Sequence, residues 1–267
     1  MNRIPSKKCV IFAFFSAVFL CSQACLSDTM SRPQDIFYSV YYESAYLDRA
    51  GTGAGLFVPR FGIADRDRGY EVYLTTRVGV DSRTFLEQSD QIYNDNFLFL
   101  GMGVDQVGWI KGVRFSLQTG SSIDLNPKIN LGGFDLRAGF MTWHELEWIP
   151  GSLRTEVYSE VFYVRRYRNA LASLQLRNFW PVVTRGKSRY EGVELGPELE
   201  AVVSGDTAGY DYNRFIEGIA GARLQIHTPL SITLHVHGVR GQRLDPGGPV
   251  GAYQDFRVLL TGYFGSQ

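Results

Sequence analysis

The chain has 267 residues, 20% of them charged, with 27 basic and 27 acidic side chains and a formal net charge of zero. Without Arg3, Lys7 and Lys8 at its start, 24 basic residues stand against 27 acidic ones, which excludes a phosphate-neutralising surface and with it nucleic acid as a partner. The three cysteines, Cys9, Cys21 and Cys25, all fall near the start, which excludes a disulfide framework or a cysteine metal site in the rest of the chain.

The opening segment predicts secretion. Arg3, Lys7 and Lys8 precede the apolar run Cys9 to Leu20, which is shorter than the roughly 20 helical residues needed to cross a bilayer. Ser22-Gln23-Ala24 supplies a small-x-small cleavage site, and Cys25-Leu26-Ser27 a second one. Residues 1–24 are therefore expected to be a signal peptide, and 28–267 a single mature domain. Lipidation at Cys25 is the alternative, but Ser22 stands where its signal needs an apolar residue.

From there the dominant pattern is alternation with a period of two, the signature of half-buried strands. The first segments are Ile36 to Tyr46 and Leu56 to Arg66. In Tyr70 to Asp81, Val72, Leu74, Val78 and Val80 oppose Glu71, Tyr73, Thr75, Arg77 and Asp81. Asn96 to Val107 follows. Val113 to Ser122 sets Val113, Phe115 and Leu117 against Arg114, Ser116 and Gln118. In Phe134 to Phe140 the opposed polar pair is Asp135 and Arg137, and in Leu153 to Val164 it is Arg154 and Glu156 with Tyr158 and Glu160. Leu171 to Phe179 precedes Val193 to Val203, whose polar face is Glu194, Glu198 and Glu200. Asn213 to His227 carries Glu217 and Arg223, Leu230 to Arg243 carries His235 and His237, and Gln254 to Phe264 closes the series.

About twelve segments, an even number, are joined by two kinds of turn. Long connections such as 48–55, 126–133, 204–209 and 245–249 are rich in Gly, Asn, Asp and Pro, whereas 65–69 and 108–112 are tight. Unequal loops of this kind are expected of outer-membrane barrels. Segments of about 10 to 12 residues match tilted strands crossing hydrocarbon, where every backbone group must be paired and the sheet must close. The polar face separates this reading from a soluble sandwich. After the leader there are 21 arginines but only three lysines, Lys111, Lys128 and Lys187, and Arg interleaved with Glu suits a lumen laced with bidentate pairs. Tyr38, Tyr41, Tyr42, Tyr46, Trp143, Trp148, Phe179, Trp180, Tyr263 and Phe264 lie near segment ends, as interfacial girdles do; the alternative is that they fill a core. The expected fold is an all-β, antiparallel up-and-down transmembrane barrel of about twelve strands, lodged in outer-membrane lipid.

Tyr42-Glu-Ser-Ala-Tyr46, Tyr93-Asn-Asp-Asn96, Phe134-Asp-Leu-Arg-Ala-Gly139 and Asp255-Phe-Arg-Val-Leu-Leu260 resemble the C-terminal barrels of exopolysaccharide-export and phage-adsorption outer-membrane proteins, among them poly-N-acetylglucosamine and cellulose-secretion porins. Gln254 to Phe264 resembles the terminal strand such barrels offer to their assembly machinery, although Gly265-Ser266-Gln267 follow it here. The resemblance implies passage of a polysaccharide, without catalysis, and either a periplasmic scaffold supplied as a separate protein or a changed role.

The expected transport path is the polar face: Arg77, Arg114, Asp135, Arg137, Arg154, Glu156, Glu160, Glu194, Glu198, Glu200, Glu217, Arg223, His235 and His237. The acidic row suits amines and sugar hydroxyls; alternatively it pairs with Arg154, Arg177 and Arg223 to hold the barrel's shape. His235 and His237 share a face, but no third ligand is identifiable, so no metal or other cofactor is expected. His144, beside Glu145 and Glu147, is the one histidine that could serve a rim hydrolase, and no nucleophile motif accompanies it. A plugged receptor or scaffold barrel is the main alternative to transport.

Overall fold

A computed structural model describes residues 35–48, 52–81, 96–107, 110, 112–125, 131–149, 153–188, 191–208, 214–227, 230–245 and 248–265. The expected leader with its expected cleavage site, and Cys25, lie outside the described residues. So do Tyr93 to Asp95 and most of the long connections.

Alternating side chains force the segments into strands, and pairing each strand with its sequence neighbour builds one sheet. Its members are β1 (Asp35–Leu47), β2 (Thr52–Asp65), β3 (Tyr70–Asp81), β4 (Phe97–Val107), β5 (Val113–Asp124), β6 (Gly133–Ile149) and β7 (Leu153–Val164). They continue as β8 (Asn169–Phe179), β9 (Val183–Ser188), β10 (Glu191–Asp206), β11 (Phe215–His227), β12 (Leu230–Asp245) and β13 (Gly248–Gly265). Every pairing is antiparallel, and β1 pairs with β13, Ser39 opposite Gly265 and Leu47 opposite Arg257, so the sheet closes.

The result is a twelve-strand barrel with one additional strand, β9. All twelve segments read from the alternation are present. The short β9 is the addition, and Pro181 explains it. Lacking an N–H, Pro181 interrupts the ladder, and Trp180 and Val182 on either side still donate to Pro197 and Leu195 of β10. β8 and β9 are thus two pieces of one track along β10. β6 also runs to Ile149, well beyond Phe140, with a register shift between Glu147 and Ile149.

The tight connections after β2, β4, β6 and β11 lie at the end where β1 begins and β13 finishes, and the longer ones after β3, β5 and β10 lie at the other. Of the long connections expected, 48–55 and 245–249 fall half or more within strands, so the turns after β1 and β12 are short at the long-loop end, and so is the one after β7. There Arg165–Tyr167 form one 3-10 turn, and Arg168 takes a left-handed φ of 49° while its N–H donates to the Arg165 carbonyl.

Burial is inverted relative to a protein folded in water. Leu74 (61%), Phe61 (59%), Phe134 (59%) and Val72 (56%) are exposed on the outside, while Asp105 and Asp135 are fully buried within. No helix among the described residues is long and apolar enough to cross a membrane, which does not bear on strands. A twelve-residue strand rising about 3.3 Å per residue and tilted about 40° climbs roughly 30 Å, the thickness of a bilayer's hydrocarbon.

Four of the aromatics expected in girdles lie on the inner face instead, namely Tyr41, Phe179, Trp143 opposite Tyr158 and Tyr263 opposite Tyr41. Tyr41 donates to Glu43 at 2.5 Å, and Phe179 is fully buried between the guanidiniums of Arg154 and Arg223, 5.1 and 4.8 Å from its ring. All four sit at the parity of the polar face, and parity outranks nearness to a strand end.

Candidate functional site: the charged lumen

Strand parity carries all fourteen expected path residues to the inner face, and the closed register sorts them into separate networks. On the β2 to β5 wall, Asp105 is the hub. Arg60 reaches its Oδ2 at 2.9 Å, Tyr73 donates to its Oδ1 at 2.6 Å, and Arg114 lies 3.4 Å from Oδ2 and 3.2 Å from Glu71. Tyr73 can lie flat along the wall because its strand partner is Gly103, where a Cβ would come within 2.5 Å of the tyrosine ring.

On β5 and β6, Asp135 accepts from Ser122 at 2.9 Å, from Arg137 at 2.9 Å and from the backbone N–H of Arg166 at 3.0 Å. Arg137 stacks over Phe97 and Phe99, 5.1 and 4.9 Å from their centres. Arg77 joins no such network. Its Nε is buried without a hydrogen-bond partner, and among the described residues no carboxylate pairs with it.

The wall from β7 to β12 holds the acidic row, and its acids are paired. Arg177 contacts Glu156 at 3.2 Å, Glu198 at 3.4 Å and Glu200 at 3.0 Å, and Arg223 contacts Glu156 at 2.6 Å and Glu198 at 3.5 Å. Glu194 is held by Arg154 and by His227 at 3.0 Å. Arg257 of β13 clamps Glu217 at 2.6 Å and Asp255 at 2.9 Å. His235 Nδ1 and His237 Nε2 both meet Glu198 Oε1, at 2.8 and 2.7 Å. Of the two readings of the acidic row, the structure brings Glu156, Glu194, Glu198 and Glu200 to the arginines that hold the wall together.

Glu160 differs. It accepts from Tyr158 at 2.6 Å and from Ser173 at 3.3 Å, and among the described residues no cation pairs with it. Six strands away on β1, Glu43 repeats the arrangement with Tyr41, and Glu43 and Glu160 interact electrostatically with each other. All four side chains are part-exposed to the interior. Sequence reasoning missed Glu43 and Tyr41 as path residues, although the spacing Tyr-x-Glu at 41–43 and 158–160 was there to be found. It also missed Arg60, Asp105 and Arg257, whose roles depend on partners two strands away.

His144 is exposed, its ring packs against Gly112, and no serine or carboxylate among the described residues hydrogen-bonds it.

No family model matches the chain, and no curated protein matches it. Among solved structures it is similar to a bacterial polysaccharide outer membrane secretin, at 7% identity over 89% of this chain and 100% of that one, with a TM-score of 0.43. An outer membrane channel from Pseudomonas putida F1 is 11% identical over 91% of this chain and 98% of that one, at 0.41. The KdgM porin in complex with oligogalacturonate is 11% identical over 85% and 98%, at 0.40. Likeness at this level carries no argument about activity, which rests on the lumen itself.

Proposed function

We propose that this protein is an outer-membrane channel that passes a polar polymer, an exopolysaccharide or similar chain, without catalysing a reaction on it. One observation carries the reading: an apolar exterior about as tall as a bilayer's hydrocarbon encloses a charged interior. In lipid, every backbone group of such a wall is paired within the sheet. The interior supplies what a hydroxyl-rich chain needs, namely carboxylates that accept hydrogen bonds and aromatic rings beside them.

Glu43 and Glu160 are acids available to a passing chain, held by tyrosines and, among the described residues, not by guanidiniums. The Glu194 to Glu200 row, committed to arginines, serves the wall. A separate periplasmic protein would deliver the polymer to the terminal end of the barrel. Planar-bilayer recording of the detergent-extracted protein tests the reading. Conductance reduced by added oligosaccharide is the expected result, whereas no conductance together with unchanged polymer secretion in a deletion strain would overturn it.

A second reading, a sealed receptor or scaffold barrel, draws on the fully buried hubs at Asp105, Asp135 and Glu198. The same recording separates the two, since a sealed barrel stays silent.

A further inference from the structure

We propose that Glu198, His235 and His237 form a binding site for one divalent transition-metal cation, zinc in the first instance, on the inner wall of the barrel. The sequence offered two imidazoles on one face of β12 and no third ligand. The closed sheet supplies it from β10, two strands away.

The means is a glycine. Glu198 pairs with Gly221 of β11, which pairs with His237 of β12. A side chain at Gly221 would stand between them, its Cβ 2.7 Å from the His237 ring and 2.0 Å from the Val236 carbonyl oxygen. With no side chain there, His237 reaches over β11 to the carboxylate. His235, two residues earlier, reaches the same oxygen, and the two rings lie 5.2 Å apart at 53°. All three residues are buried, and their ligand atoms lie within 4.8 Å of one another.

The geometry and the electrostatics both suit a cation. In a tetrahedral zinc site with bonds of about 2.1 Å, ligand atoms stand about 3.4 Å apart, so a shift of less than about 1 Å converts the present hydrogen bonds into three bonds to a metal. Two neutral imidazoles and one carboxylate are borderline donors that favour zinc and its neighbours over magnesium or calcium. They leave a fourth position for water, as three-ligand zinc sites do.

The nearby guanidiniums do not block the site, because the carboxylate is divided. Arg177 and Arg223 lie 3.4 and 3.5 Å from Oε2, whereas both imidazoles face Oε1. Glu156 and Glu200 offset those two positive charges. The arginines thus serve as outer partners that fix the ligating carboxylate.

Calorimetric titration of the full chain, extracted in detergent without a polyhistidine tag, with zinc chloride tests the site, and cobalt substitution reports its geometry by visible absorption. The expected result is one zinc per chain and the intense visible bands of tetrahedral cobalt. His235→Gln and His237→Gln are each expected to lower affinity on the order of 100-fold, with His227→Gln unchanged as a control. Heat-modifiable migration on gels verifies that each variant still forms a barrel. Absence of binding in the parent protein, or equal binding in a folded H235Q/H237Q double variant, would overturn the proposal. Neither readout depends on conductance, so failure of the channel reading leaves this test intact.

Discussion

Arg223 of β11 donates to Glu156 of β7 at 2.6 Å, across the two intervening strands β8 and β10. The contact ties together parts of the wall 67 residues apart in sequence, and both side chains are nearly removed from water. It belongs with Arg177, Glu198 and Glu200 to one network that stiffens this side of the barrel.

Removing either side chain leaves its partner only the second, longer contact, Glu156 with Arg177 or Arg223 with Glu198, and a buried charge short of one partner costs more than the lost contact contributes. Glu156→Gln and Arg223→Met are each expected to destabilise the folded barrel by about 1 to 3 kcal/mol, and the double variant by less than the two together. Urea unfolding in lipid vesicles checks this. Additive losses would show that the two side chains act independently.

The outward face is tested at Leu74, 61% exposed on β3. If that face lies in acyl chains, Leu74→Arg costs about 2 to 4 kcal/mol near the bilayer midplane. If water bathes it, the cost stays within about 0.5 kcal/mol. Equilibrium folding into vesicles distinguishes these values.

Glu43 and Glu160 are interior acids held by tyrosines, with no guanidinium paired to them among the described residues, so they are expected to make the lumen prefer cations. Reversal potentials under a salt gradient should show that preference in the parent protein. The E43Q/E160Q double variant should lose most of it. An unchanged reversal potential would remove these two residues from the path.

Gly103 lets the Tyr73 ring lie along the wall and donate to Asp105. Gly103→Ala places a Cβ about where the ring now sits, so the ring must move and leave Asp105 short of one donor. The expected loss is about 1 to 3 kcal/mol. Tyr73→Phe, which removes only the hydroxyl, should reproduce part of it. Unfolding midpoints of the two variants supply the comparison.

Much of the barrel was legible because alternation needs only local information. Val72 and Leu74 against Tyr73 and Thr75 state which side of β3 is outward, whatever the rest of the chain does. The break at β9 is not legible in the sequence, since Pro181 shows itself as an interruption of a strand only once β10 is seen pairing on both sides of it. His235 and His237 were visible as a pair, but Glu198 was not visible as their partner.

The sequence by itself determined the strands, their two faces and the inward placement of the charges, because a residue's face depends only on its parity within its own strand. Tertiary structure alone decided which charges meet. Glu198 joins His237 over Gly221, Arg223 joins Glu156 across two strands, and Glu43 faces Glu160 across the lumen. Each of these depends on register and closure, which are properties of the whole sheet and are not written in any one segment.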